Sequence, residues 1–191
     1  MSRYLFPVAD YAEDQPLAHT ILLTHILARS VTTGAVVGLG IFGAREAAAR
    51  FYPLRASIPG APGLPKGAPR PAVFPRLVRV AGASAAWTIG FMAVGTVFRM
   101  WGREDIEWRD RSWRLMQNAG QLEVDDWTYG GMALGAALGF TAAGRAGAVG
   151  AAATAGWRAM LGAVGLGSVA GTVGYMGWRY GVHGGKFPAR V

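Results

Sequence analysis

The residues in this chain that could do chemistry are few and scattered. Asp125-Asp126 stand side by side ahead of an apolar run and could hold a metal or carry a proton. A carboxylate at a helix N-terminus also accepts orphan amide hydrogen bonds and meets the positive end of the dipole, so helix capping is the role expected of Asp125 and Asp126. His19 and His25 are six residues apart, a spacing that puts them on different faces of a helix and argues against a two-histidine metal site. Arg29 is the one charge well inside an apolar run, where it is expected to reach toward the interface or pair with a neighbouring acid. The chain has no cysteine, which removes disulfides, thiolate ligands and cysteine nucleophiles together. No G-x-S-x-G, H-E-x-x-H, Walker A or C-x-x-C motif occurs. Neither an active site nor a cofactor or metal is expected.

The elements that would position these residues are long and apolar. Three nearly charge-free stretches cover about 80–100, 127–144 and 159–178, and a fourth, about 21–44, is uncharged from Ser30 onward. Each has the roughly 20 residues that a helix needs to cross about 30 Å of hydrocarbon. Lipid requires every backbone group to be paired within the segment, so the expected fold is an all-α membrane protein with four transmembrane helices. At 191 residues, 52% of them hydrophobic, there is no room for a separate catalytic domain beside four spans. The remainder divides into a polar N-terminal arm, 1–16, a Pro-rich loop, 53–75, and a basic tail, 181–191. Trp101, Trp127, Trp157 and Trp178 fall at the expected span ends, as an aromatic belt requires, while Trp87 falls inside the second span and should face lipid or a neighbouring subunit.

Glycine, at 29 residues without a G-X-Y period, points to close helix packing. Gly131, Gly135 and Gly139 form a GxxxGxxxG run in the third span. Gly34 and Gly38 repeat the spacing in the first, and Gly167 and Gly171 in the fourth. Glycines four apart share one helix face and let another backbone approach, so these seven are the expected packing residues.

The net charge of +8 is unevenly distributed. Arg45, Arg50, Arg55, Lys66, Arg70, Arg76 and Arg79 lie between the first two spans against Glu46 alone, and are expected to contact anionic lipid or a partner. Seven of the ten prolines fall in 53–75, giving an extended, semi-rigid segment suited to a partner surface. Interleaved aromatics are missing there, so nucleic acid is not an expected partner. Between spans two and three, the acid-first pairs Glu107 with Arg111 and Asp110 with Arg114 support a short helix at the membrane surface. The basic connection is expected on the cytoplasmic or matrix-like side, with both termini opposite. The opening residues lack the order of a secretory signal, and Asp10, Glu13 and Asp14 are foreign to a cleavable mitochondrial leader, so any organellar address should be internal.

Four Gly-rich spans with a basic first connection resemble the preprotein and amino-acid transporter superfamily of mitochondrial inner-membrane proteins. In that family an acid precedes span three, followed by six residues and a small residue with a Gly-x3-Gly pair; Glu123, Val124 to Tyr129 and Gly130-Gly131-x3-Gly135 fit this half of the signature. Ala119 stands where the family carries an arginine. Some members are accessory subunits of the membrane arm of respiratory complex I. The arm Met1-Ser2-Arg3-Tyr4-Leu5-Phe6-Pro7, followed by Asp10-Tyr11-Ala12-Glu13-Asp14, is similar to such subunits of filamentous fungi. The resemblance implies a multi-pass protein of the mitochondrial inner membrane, its termini toward the intermembrane space. Its role would be non-catalytic, stabilising neighbouring membrane-arm subunits, with phospholipid such as cardiolipin the one small molecule bound; the alternative it implies is a component of a protein translocase or carrier.

Overall fold

The computed structural model of this protein describes residues 5–51, 72–145 and 156–186. Arg55, Lys66 and Arg70, and most of the Pro-rich loop, lie outside the described residues. Those that are described form helices and connections, without a strand among them. A short 3-10 turn, Ala12–Asp14, precedes α1 (Ala18–Phe51), α2 (Val73–Met100), α3 (Asp105–Gln117), α4 (Ala119–Arg145) and α5 (Trp157–Met176), and α5 continues as a π-helical turn over Gly177–Val182.

Three helices, Ala18–Phe51, Val73–Met100 and Trp157–Val182, are long and apolar enough to cross a membrane. The shortest has 26 residues and extends about 39 Å at the α-helical rise, against about 30 Å of hydrocarbon. Each helix outruns the apolar stretch read from sequence, because polar residues at a helix end remain helical as long as their backbone groups stay paired. The largest extension toward the N-terminus is in α4, which begins eight residues before the expected 127.

α5 is the centre of the bundle. It lies against α4, α2 and α1, and α1 and α2 pack on each other. α4 therefore sits on the far side of α5 and reaches α1 only at one end. At that end a small apolar cluster of Ile21, Met116 and Leu122, with Phe6 and Leu115 against it, joins the starts of α1 and α4 to the end of α3. The N-terminal arm is fastened to the same end. Gln15, 2% exposed, donates from Nε2 to the Pro7 and Pro16 carbonyls and accepts from the Ala9 amide. Trp113 Nε1 donates to Ala9 O at 3.0 Å and Arg109 to Glu13 O at 2.6 Å. The short helix expected between residues 100 and 127 is α3, and its pairs Glu107–Arg111 and Asp110–Arg114 form at 3.9 and 3.0 Å.

Candidate functional site

Two kinds of contact hold the helices: glycine seams along their length and ion pairs toward both ends. In the α1–α2 seam a Cβ on Gly34 would collide with the Ala85 backbone, and one on Gly38 with Ala81. In the α4–α5 seam Gly131 lies against Gly167, Gly135 against Ala163, and Gly171 against the Trp127 carbonyl, each too close for any side chain. Gly139 is looser, meeting the side chains of Ala163 and Met160 at 3.2 Å. The tightest approach involves a glycine without a spacing signal: Gly82 of α2 faces Arg158 and Gly162 of α5, and Gly162 faces Val78. Gly82 has no glycine at i±4, and its one mark in the sequence is the run of small residues from Ala81 to Ala86. Buried hydroxyls bond back to their own helices: Ser30 to Ile26 O, Thr32 to Ala28 O, Ser168 to Gly165 O. Thr128 and Thr172 also meet across the seam at 3.0 Å. In the absence of water this satisfies groups that would otherwise be stranded.

Asp125 and Asp126 do not cap the helix. α4 starts at Ala119, which places both in its second turn. The cap is Asn118, whose Oδ1 accepts from the Gln121 amide at 3.1 Å while its carbonyl takes the first helical bond, from Leu122, at 3.0 Å. Asparagine suits this position because its short side chain reaches the third amide of the helix. Asn118→Ala should lower stability by about 1 kcal/mol, read as a reduced thermal midpoint of helical circular dichroism in micelles.

Freed from capping, Asp125 turns into the bundle, where it is 3% exposed. His25 Nδ1 lies 2.9 Å from Oδ2, Arg29 donates to Oδ1, and Gln121 Nε2 donates to Oδ1 at 3.1 Å. Arg29 is thus paired with a neighbouring acid, one of the two outcomes expected for it. His25 and Arg29 are four apart on α1, and Gln121 and Asp125 four apart on α4, so each helix offers both its residues on one face. Those i,i+4 spacings were the available signal. His19 is elsewhere, stacked on Trp108 at 4.3 Å with Asp105 at 3.8 Å. No group of three or more potential metal ligands gathers among the described residues.

A second pair lies two residues away along α4. Glu123 accepts from Arg179, which is 2% exposed and also donates to the Lys186 carbonyl at 2.5 Å. Arg179 sits in the π-helical turn that ends α5. Trp178 beside it packs on Trp127 with ring centroids 5.8 Å apart. α4 is therefore tied to α1 through Asp125 and to the end of α5 through Glu123.

Chemically the cluster is closed. Both oxygens of Asp125 are engaged and its charge is met by Arg29. A cavity of about 720 Å³ follows the α4–α5 seam, with Asp126 and Trp127 at one end and Gly131, Leu134, Gly135 and Leu138 along it. Its walls are almost wholly apolar, suited to a lipid tail or another helix. Of the cations expected to meet lipid or a partner, Arg76 is engaged within the chain, paired to Glu46 at 2.5 Å and lying over Phe42 at 5.6 Å. Arg45, Arg50 and Arg79 are exposed.

No family model, characterised protein or solved structure matches this chain.

Proposed function

We propose that this protein is a non-catalytic accessory subunit of the membrane arm of mitochondrial NADH:ubiquinone oxidoreductase. It crosses the inner membrane four times, with both termini toward the intermembrane space. Three helices qualify as spans by themselves, and α4, 27 residues long, runs beside α5 through a seam of touching backbones. A helix sharing that seam shares the depth of its partner. Among the described residues the end with Arg45, Arg50, Arg76, Arg79 and Arg158 has Glu46 as its one acid, and that imbalance favours the matrix side.

The observation that carries the reading is the direction in which the two kinds of side chain point. The buried charges are engaged with one another, whereas large apolar side chains face outward: Trp87 is 82% exposed, Phe98 81% and Phe91 77%, with Leu134, Leu138 and Phe140 similarly placed. Such a molecule offers neighbours a large apolar surface. A component of an inner-membrane protein translocase or carrier is the second reading, favoured by the laterally open cleft along α4 and α5.

Deletion of the chain separates the two. Blue-native gels should show the assembled respiratory complex falling in proportion to NADH:quinone activity, with protein import normal. Import failing first, with the complex fully assembled, would establish the translocase reading instead.

A further inference from the structure

We propose that the α1–α2 seam, at the end bearing the N-terminal arm, binds one anionic phospholipid with its phosphate on Arg99 and Arg111 and the start of an acyl chain in the cleft beneath them. The proposal rests on the reading of the chain as membrane-spanning. Gly34 and Gly38 draw the two backbones together low in the seam. Toward this end Leu22, Ile26, Met92 and Thr96 line a cleft of about 290 Å³ between the two helices. Arg99, from the last turn of α2, and Arg111, from α3, line this same cleft.

The charge at its mouth is only partly met among the described residues. Arg99 makes no ion pair among the described residues. Arg111 has Glu107 at 3.9 Å, and that carboxylate lies closer to Arg103, at 3.1 Å. Two guanidiniums present planar donors that match phosphate oxygens. Directly below them the walls are mostly apolar, the Thr96 hydroxyl being bonded back to the Met92 carbonyl, over the seven steps from Arg99 to Met92, about 10 Å along the helix. A free anion would gain nothing from Leu22, Ile26 or Met92; a phospholipid uses both parts of the site. Arg99 also closes the charge-free run of α2, which sets it at headgroup depth.

Gly95 contributes to the width of the cleft. It lines the cleft, yet a Cβ there would meet nothing within 4 Å, so unlike Gly34 and Gly38 it brings no helix closer. What its missing side chain provides is room.

Native mass spectrometry of the delipidated full-length chain, titrated with dioleoyl phosphatidylglycerol or dioleoyl phosphatidylcholine, tests the site. The first lipid should bind more tightly than the second. Arg99→Gln with Arg111→Gln should weaken phosphatidylglycerol about 30-fold, the effect of two cation–headgroup contacts, with little change for phosphatidylcholine. Gly95→Leu, whose Cβ would meet nothing within 4 Å, puts a side chain in the cleft and should weaken phosphatidylglycerol with both arginines in place. Arg158→Gln, at the opposite end, where the side chain is exposed over Trp157, should leave this affinity unchanged. An unaltered affinity in either the arginine or the Gly95 variant, or an equal loss in the opposite-end control, would overturn the site. Resistance of the chain to carbonate extraction reports the membrane reading separately.

Discussion

Asp125→Leu is expected to destabilise the protein by about 3–5 kcal/mol, because it leaves the Arg29 guanidinium in the bundle without its counter-charge. Arg29 is held by Asp125, and His25 and Gln121 bond the same carboxylate, so one substitution removes the acceptor for three side chains. The companion experiment is the double variant Asp125→Leu with Arg29→Leu. It should recover most of the loss, since replacing both members of a buried ion pair with apolar groups is often neutral or stabilising. Unfolding of the full chain in mixed micelles, followed by circular dichroism, gives both values. Equal destabilisation of the single and double variants would mean that the residues are not energetically coupled. The effect should also be felt in assembly, because this cluster and the apolar contact of Ile21 with Leu122 beside it are what tie α4 directly to α1.

Gly162→Ala should also destabilise the protein, though it adds only one methyl group. Its Cβ would fall on the Val78 carbonyl and close to the Gly82 amide, both of them backbone atoms that cannot rotate aside. α2 and α5 would have to separate, and overpacking of this kind costs about 1–3 kcal/mol. Gly90→Ala is the control. Gly90 lies in the same helix as Gly82, is exposed, and an alanine methyl there would meet nothing within 4 Å, so the substitution should be neutral or stabilising by up to about 1 kcal/mol through helix propensity. Thermal midpoints of the two variants in the same detergent provide the comparison. If they shift alike, close backbone approach is not what holds α2 to α5. Gly82→Ala combined with Gly162→Ala should cost less than the sum of the two, because one separation of the helices accommodates both.

The glycine faces were legible to different degrees for a simple reason. Gly131 and Gly135, or Gly34 and Gly38, announce a face by repeating at the helical spacing, and the structure sets backbone against each of them. Gly82 stands alone in its helix face and could be recognised only with Gly162 opposite it. The carboxylates failed differently. Asp125-Asp126 look like a cap when the helix is taken to begin where charge ends, at Trp127. Helices do not require that their first turns be apolar, and Asn118 offers an earlier cap.

By itself the sequence determined that the chain would be helical, that long apolar helices would dominate it, and which faces of α1, α4 and α5 would be bare. These are local properties: apolar run length and glycine spacing depend on residues within a few turns of one another. Tertiary structure decided which bare face meets which, and that α5 rather than α4 is the central helix. It also turned Asp125 toward His25 and Arg29, about a hundred residues earlier, and Glu123 toward Arg179. Charges inside a bundle are tolerated only when a partner arrives from another helix. That partner is chosen by how the helices pack, which no spacing along a single helix records.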